Sequence, residues 1–418
     1  MKSAETKSSA SRQSAFSPYL ILTAALVLGF LLRLPPINGQ TTYLHQEIQR
    51  DLAVTVAMDH GVLPYEGPVS VYGNLHFGAA YYYILYPFPK LLGFRESSLS
   101  FASLFFSLAT ALLAFFTVRR WTGSPRTAVL CAAMMCVSTL DVIFSKYASN
   151  PNFLPFFALL FFSSVERFLA GRGHPLYALM AGFSFGIVVQ LHTVAAISLP
   201  IVLLFLLVSR PKGFRLRHAA IFTVAAAAVI LPFVLMDPYH GLGNAAGLAT
   251  IALRAPNYGN IFSRLRDIAS FWITLVVSLN TMWNLILEFG WPLLAAIYAN
   301  ILLVAVLWFH ERRWRAVPDP TRAPLPPAAR LTLVAWILPA TVVLTMPVGA
   351  VAIVPLYYFT MLIPAGYVVF ALGLVALENR GFRRTARVLL LSYLCWQALQ
   401  LLAYHLQYPT ILTAWLTK

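Results

Sequence analysis

Charged side chains are scarce in this sequence. Only 11% of its 418 residues are Asp, Glu, Lys or Arg, whereas a soluble domain contains about 25%. Hydrophobic residues make up 59%, and the mean hydropathy is +0.74. Such a chain cannot cover a globular surface with water-facing side chains. The composition therefore excludes a soluble protein and predicts an all-α, polytopic membrane protein.

Acidic residues are the rarer of the two charges. The chain has 14 Asp and Glu against 30 Lys and Arg, which gives a formal net charge of +16. In a soluble protein this excess would indicate nucleic-acid binding, but the hydrophobicity excludes a water-soluble nucleic-acid binder. We interpret the excess as the positive-inside signal of a membrane protein, which faces anionic lipid headgroups.

Cysteine is scarce as well. Cys131 and Cys136 share one predicted helix, and Cys395 lies far along the chain. This spacing offers neither a disulfide framework nor a metal site. We expect all three to be ordinary buried residues.

Long apolar stretches are abundant, and eleven of them approach the roughly 20 residues needed to span hydrocarbon. They lie near residues 18–34, 98–118, 126–142, 152–170, 175–191, 194–209, 218–236, 291–309, 331–347, 353–377 and 386–404. Two more apolar segments, 77–92 and 268–287, are predicted to lie in the outer interface without crossing. This arrangement keeps most Lys and Arg residues in inside loops, as the positive-inside rule requires.

The predicted topology has a cytoplasmic N-terminus and an outer C-terminus. A basic cytoplasmic tail covers residues 1–16, a transmembrane domain covers 17–404, and a short outer tail covers 405–418. Within the domain, residues 35–97 form the first outer loop, and residues 237–290 form an outer loop with an interfacial helix. The first apolar run lacks a small-residue cleavage site, so we expect it to remain as the first helix.

The first outer loop contains a predicted amphipathic helix at residues 43–60. Its apolar stripe recurs every fourth position, at Leu44, Ile48, Leu52 and Val56. We expect this helix to lie flat on the outer surface of the bilayer. Gly61 is the expected C-terminal cap, and Pro64 prevents continuation.

Two acids on this helix are candidates for chemistry. Glu47 and Asp51 are four residues apart, so both are expected to face one way, with Arg50 adjacent. Two like charges in a partly dry site raise one pKa, which makes a carboxylate a better base. A solvated polar face on a surface helix remains the alternative. A divalent ion could bind the pair, but we favour no metal and no cofactor.

Several short motifs occur in an order typical of a known family. They are E-I-Q-R-D at 47–51, S-K-Y-A-S-N-P-N-F-L-P-F at 145–156, Q-L-H at 190–192, D-P-Y-H-G-L-G-N at 237–244 and P-L-Y-Y-F-T-M-L-I-P at 355–364. To about residue 375, the sequence resembles the bacterial branch of the dolichyl-phosphate-mannose protein mannosyltransferase and aminoarabinose transferase type. These are family 39-like, integral-membrane glycosyltransferases of the GT-C fold.

The resemblance implies transfer of a sugar from a polyprenyl-phosphate donor, with inversion, to a lipid, glycan or protein acceptor. It implies a bacterial inner-membrane protein whose active site faces the periplasm or exterior. Glu47 would be the catalytic base, and Asp51 its partner or substitute. Glu47 stands where the family usually has Asp, and Ile48 where it often has Gln. This departure leaves the donor and acceptor open.

The departing phosphate needs cationic groups, preferably arginine. Candidates for binding the phosphate or the sugar on the outer side are Arg50, Tyr81, Tyr82, Lys146, His192, His240, Arg254, Arg264, Arg266, Tyr357 and Tyr358. Interfacial anchoring is the alternative for the tyrosines and arginines. Asn150 and Asn152 are expected to cap the start of the fourth span.

Two other functions remain open from the sequence. A transporter or a flippase for lipid-linked sugars would also be polytopic, although transporters tend to show internal repeats and mid-membrane ionisable residues. A non-catalytic scaffold or an inactive relative of the enzymes is the other alternative, because the first-loop motif is altered.

Overall fold

The computed structural model describes residues 16–34, 45–69, 76–170, 174–192, 216–237 and 360–407, with shorter stretches at 243, 326, 328–333 and 336. Helices dominate this part of the chain. They are α1 (Phe16–Arg33), α2 (His45–Asp59), α3 (Ala80–Leu85), α4 (Pro87–Leu92), α5 (Glu96–Thr122), α6 (Pro125–Val137), α7 (Thr139–Phe144), α8 (Leu154–Leu169), α9 (Pro175–Leu191), α10 (Leu216–Met236), α11 (Ile363–Asn379) and α12 (Arg383–Gln407). The predicted all-α class is confirmed.

Four of the described helices are long and apolar enough to cross a membrane, judged by length and composition. They are Glu96–Thr122, Leu216–Met236, Thr360–Asn379 and Arg383–Leu402. Shorter apolar helices cover Pro18–Arg33, Pro125–Val137 and Pro175–Leu191. The predicted spans 194–209 and 291–309 lie outside the described residues, as does most of 331–347. The number of eleven spans therefore stays a prediction.

The third predicted span, 126–142, is not one helix. It breaks at Ser138, whose backbone is extended, so that α6 ends at Val137 and α7 begins at Thr139. The Ser138 side chain accepts from the Asp141 N–H and caps α7. Gln397 on α12 accepts from the Thr139 N–H at 2.7 Å. These two acceptors satisfy the N–H groups freed by the break, which a hydropathy pattern cannot reveal.

Cations and acids join the helices at the end of the bundle that contains the start of α6. Arg120 near the end of α5 pairs with Glu166 on α8 at 2.8 Å. Arg126 at the start of α6 pairs with Glu378 on α11 at 2.8 Å. This is the end predicted to face the cytoplasm. The first outer loop lies at the opposite end of α5.

Arg33 links the last turn of α1 to other helices of the bundle through hydrogen bonds. Its side chain is 1% exposed. It donates to the carbonyls of Gly29 and Cys136 at 2.9 and 2.7 Å, and to the Ser107 hydroxyl at 3.1 Å. A buried guanidinium is tolerated when its donors are satisfied in this way.

Glycines bring α9 and α10 into close contact. A Cβ atom at Gly182 would lie 2.2 Å from the Phe222 carbonyl oxygen, and one at Gly186 would lie 2.7 Å from the Val229 Cβ. Only glycine allows such backbone approach, the usual packing device between helices in a membrane.

Gly182→Val is therefore expected to force the two helices apart and to lower the melting temperature by roughly 3–8 °C, through overpacking. The thermal unfolding of detergent-purified protein, followed by tryptophan fluorescence, measures this shift. Leu179→Ala is the matched control, because Leu179 is on the same helix but is 49% exposed. An equal shift in both variants would contradict the close-packing explanation.

The first outer loop is built from short elements. Strands β1 (Glu66–Val69) and β2 (His76–Gly78) pair antiparallel, and this small ribbon is an addition to the predicted all-helical fold. Helices α3 and α4 have six residues each, so each is only about 9 Å long. Neither can span a bilayer, in agreement with an interfacial position for 77–92.

Candidate functional site

Helix α2 packs against the protein with a face that is partly polar. The buried positions are Ile48, Asp51, Thr55 and Met58, whereas Leu52 and Val56 are only partly buried. The predicted apolar stripe shares Ile48 with this buried face, and Leu44 lies outside the described residues. The position of the helix flat on the bilayer surface stays a prediction. Spacings of three and four still mark one helix face, but two of its members are polar.

Asp51 is the centre of a polar cluster beneath α2. It is 1% exposed. The Tyr81 hydroxyl donates to its Oδ2 at 2.6 Å, and the Tyr82 hydroxyl to its Oδ1 at 3.3 Å. Arg50 donates from Nε to Oδ1 at 2.9 Å and places its Nη2 at 2.8 Å from the same oxygen. Both carboxylate oxygens are therefore occupied by donors.

Burial raises the pKa of Asp51 to about 6, against the opposing effects of the Arg50 guanidinium and the two tyrosine hydroxyls. Burial and the nearby Asp51 carboxylate also raise the pKa of Tyr81 and of Tyr82. Both phenols therefore remain protonated and act as donors. At neutral pH the cluster is an ionised carboxylate held by a cation and two hydroxyls.

Glu47 does not share the environment of Asp51. The structure places the Glu47 side chain at an exposed position one helical turn before the buried acid. The predicted like-charge pair in one partly dry site is therefore wrong, because Asp51 is buried whereas Glu47, in the first turn of α2, is exposed. Within the described part of the chain, Glu47 has no hydrogen-bonding or ionic partner.

The tyrosines of α3 have two different roles. Tyr81 and Tyr82 are 0% and 2% exposed, so the alternative of headgroup anchoring is wrong for these two. Tyr83 is 45% exposed and donates to the Pro64 carbonyl at 3.0 Å. Tyr86 donates to Asp59 at 3.0 Å, and Lys90 also contacts that carboxylate. These contacts hold α3 and α4 against α2.

Lys146 and His192 are both buried at the same end of the bundle. Lys146 is 1% exposed, its Nζ lies 3.5 Å from the Leu34 carbonyl oxygen, and burial with a smaller effect of Arg33 lowers its pKa to about 8. His192 is 2% exposed and stacks on Phe77 with ring centroids 5.7 Å apart. Burial lowers the pKa of His192 to about 3, so the ring is neutral at physiological pH.

The other predicted binding residues lie outside the described residues. They are His240, Arg254, Arg264, Arg266, Tyr357 and Tyr358. The outer loop 237–290 that contains four of them is described only at Asp237 and position 243. Their participation stays a prediction.

Asn150 and Asn152 do not cap the fourth span. Asn150 Nδ2 donates to the Leu191 carbonyl at 2.6 Å. Asn152 Nδ2 donates to the Phe144 and Tyr147 carbonyls at 2.7 and 2.9 Å. The capping prediction is wrong because both amides donate to carbonyls elsewhere, at the ends of α9 and α7 and in the loop after α7, and the 3-10 turn Asn150–Phe153 has no side-chain cap.

A polar cleft lies beside α7. Its walls include Ser103, Asp141 and Asn152, each of which has a buried oxygen without a hydrogen-bonding partner among the described residues. Water is the simplest occupant for three such acceptors.

Two of the three cysteines, Cys131 and Cys136, are buried as predicted. Cys395 is exposed, so the prediction of burial was wrong for this residue.

Sequence reasoning missed the contribution of Gln190 and Gly78. The sequence indicated Gln190 only as part of the Q-L-H motif at 190–192, and Gly78 only as part of the apolar segment 77–92. A polar amide in the last turn of an apolar helix was the one available signal, because membrane interiors rarely accept such a group without a partner.

Family comparison agrees with this architecture. A family model described as dolichyl-phosphate-mannose-protein mannosyltransferase matches residues 79–236. No curated protein matches the sequence. The matched segment includes α3, Lys146 and Gln190 but begins after Glu47 and Asp51. The resemblance to this family, predicted from the motifs, is confirmed.

Solved structures show the same fold. ArnT from Cupriavidus metallidurans in the apo state matches with a TM-score of 0.56 at 14% identity, over 88% of this chain and 61% of that chain. ArnT bound to undecaprenyl phosphate matches with a TM-score of 0.55 at 16% identity, over 85% and 60%. The archaeal oligosaccharyltransferase AglB from Archaeoglobus fulgidus, in complex with an inhibitory peptide and a dolichol-phosphate, matches with a TM-score of 0.56 at 14% identity, over 94% and 56%.

The predicted GT-C fold is thereby confirmed. The chain spans about three fifths of the length of these relatives.

Proposed function

We propose that this chain, which resembles the dolichyl-phosphate-mannose-protein mannosyltransferases, transfers a sugar from a polyprenyl-phosphate donor to an acceptor. The observation that supports this most directly is the Asp51 cluster. A buried carboxylate is held by Arg50 and two tyrosines, with the exposed Glu47 one turn away, in the loop at one end of a GT-C bundle. Similar chains have been solved with undecaprenyl phosphate and dolichol-phosphate.

Glu47 fits the role of catalytic base better than Asp51. A base needs a free oxygen within reach of the acceptor proton. Both oxygens of Asp51 already accept hydrogen bonds, and the residue is buried. Glu47 is exposed on the same helix. Asp51 is then a positioning residue that fixes α2 and the Arg50 side chain.

The chemistry balances with these groups alone. Glu47 accepts a proton from the acceptor nucleophile as that atom forms a bond to the anomeric carbon. The bond from the anomeric carbon to the phosphate oxygen breaks on the opposite face, which inverts the configuration. The donor phosphodiester becomes a polyprenyl phosphate monoester and gains one negative charge, which needs cationic stabilisation.

Arg50 is the best-placed described group for that charge. Its side chain is 35% exposed even while it contacts Asp51, so it can also reach a bound phosphate. Lys146 would be a second cation if it gained access to the ligand. Arg254, Arg264, Arg266 and His240 extend this proposal to the outer loop, and Tyr357 and Tyr358 to the segment before α11. Transfer without a metal or cofactor belongs to the same proposal.

The reaction is proposed at the outer face of a bacterial inner membrane. The N-terminus would be cytoplasmic and the active site would face the periplasm or exterior. The different side chains at the two ends of the bundle support this orientation. Arg120 and Arg126 lie at one end, where the positive-inside rule favours cytoplasm, and the Asp51 cluster lies at the other end of α5.

The direct test uses detergent-purified protein with a panel of polyprenyl-phosphate sugars and an envelope extract as the acceptor source. We expect one donor to release free polyprenyl phosphate in an acceptor-dependent manner, measured by mass spectrometry. Folded protein that releases none from any donor, yet moves lipid-linked sugar across liposome membranes, would replace this proposal with a flippase.

A further inference from the structure

Gln190 joins three separate parts of the protein. It is located in the last turn of α9 and is 4% exposed. Its Oε1 accepts from the Ala80 N–H at the start of α3, at 3.1 Å. Its Nε2 donates to the Val229 carbonyl of α10. One amide thus connects the first outer loop to two helices of the bundle.

The contact with α3 meets a local need of that helix. The residue before α3 is Ala79, which has no side-chain acceptor to cap the helix. The N–H of Ala80, in the first turn, has no acceptor within the helix. The Gln190 side-chain oxygen accepts its hydrogen bond. On α10, Pro232 lies inside the helix and leaves the Ala228 carbonyl without its intrahelical donor. The Gln190 amide donates to the next carbonyl, that of Val229.

Glycine makes the approach possible. A Cβ atom at Gly78 would lie 2.2 Å from Gln190 Oε1 and 2.3 Å from its Cγ. No side chain larger than hydrogen fits between strand β2 and this amide. Gly186, one turn earlier on α9, allows the equivalent approach to Val229.

Helix α3 depends on tertiary contacts for its position. It contains six residues, which is too short for stability without tertiary contacts. Yet its Tyr81 and Tyr82 provide the hydroxyls that hold Asp51. A small rotation of α3 would remove both of these donors from the carboxylate that holds Arg50.

We propose that Gln190 is a positioning residue for the reaction: it fixes the start of α3 against α9 and α10, and through Tyr81 and Tyr82 it sets the geometry of Asp51 and Arg50. This inference rests on the proposed function for its effect on catalysis. The structural link itself does not, so the two can fail separately.

Deuterium uptake of the purified full-length protein tests the link without any activity. Gln190→Leu keeps approximate volume but removes both hydrogen bonds, and we expect exchange across residues 79–86 to rise about tenfold or more. Exchange in α5 should not change. Gly78→Ala is a second variant that displaces Gln190 without altering its chemistry, and it should raise exchange in the same segment.

Ser184→Ala is the matched control. Ser184 is buried on the same helix and donates only to the Met180 carbonyl, as far as the described residues show. It should leave exchange in 79–86 at the wild-type level. Unchanged exchange in both Gln190→Leu and Gly78→Ala would overturn the proposal.

Turnover gives the second readout. For polyprenyl phosphate release we expect Gln190→Leu to lower kcat about tenfold or more, with a smaller change in the donor KM, because misplacement weakens transition-state contacts. Gln190→Glu should recover part of kcat at pH 5.5 but not at pH 8, because only a protonated carboxyl can both accept and donate. A ratio of Gln190→Glu kcat to wild-type kcat that is the same at pH 5.5 and pH 8 would contradict the positioning role. If wild type releases nothing while exchange responds as expected, the proposed function fails and the link stands.

Discussion

Glu47→Gln is expected to lower the rate of polyprenyl phosphate release by about 10²–10⁴-fold, the usual contribution of a general base. Glutamine has the same shape but cannot accept the acceptor proton. Because Glu47 is exposed and unpartnered among the described residues, its replacement should leave the fold intact. Single-turnover release with a saturating donor, together with an unchanged melting temperature, measures the effect on chemistry alone.

Asp59→Asn is the matched control for this prediction. Asp59 is an acid on the same helix α2, but its carboxylate contacts Lys90 and Tyr86 away from the Asp51 cluster. We expect near wild-type release from this variant. Full activity in Glu47→Gln would exclude Glu47 as the base and return that role to Asp51, whose occupied oxygens would then have to exchange partners during turnover.

The helices of the bundle were predictable because a membrane span can be recognised from its own stretch of sequence. The apolar run at 175–191 coincides with α9, which begins at Pro175 with His174 as the cap. Its length is set by the hydrocarbon thickness, and its start by a residue type that suits the first helical turn. The break at Ser138 was not predictable, because the acceptor that makes it tolerable is Gln397, 258 residues away.

The identity of the candidate acids was predictable, but their roles were not. Hydropathy predicted an apolar stripe through Leu52 and Val56 on a helix that lies on the bilayer surface. It could not predict that Asp51 is buried, because Tyr81 and Tyr82, some 30 residues later, supply its hydrogen bonds. A buried polar residue is stable only with such partners. A single sequence does not show which distant residues provide them.

Asp51→Asn is expected to reverse part of the pH dependence of stability. In the folded protein, burial raises the pKa of Asp51 to about 6 from its ordinary value of 3.8. A carboxyl whose pKa is higher in the folded state stabilises the protein at low pH. That contribution is lost as the pH rises from about 4 through about 6. Asparagine does not titrate, so wild type should lose roughly 2 kcal/mol relative to the variant between pH 4 and pH 7.

Thermal unfolding of the two proteins in detergent across this pH range measures the difference. Asp59→Asn again provides the comparison, with the opposite sign: hydrogen bonds from Lys90 and Tyr86 lower the pKa of Asp59, so its contribution to stability is present above the unfolded pKa and lost as the pH falls. A stability difference for Asp51→Asn that does not vary with pH would mean that this carboxyl is not buried as described.

The Asp51→Asn variant, which removes the buried charge at neutral pH, should also turn over more slowly, because Arg50 loses the anion that orients it. Stability gained with activity lost would identify Asp51 as a charge kept buried for the reaction at a cost in folding free energy.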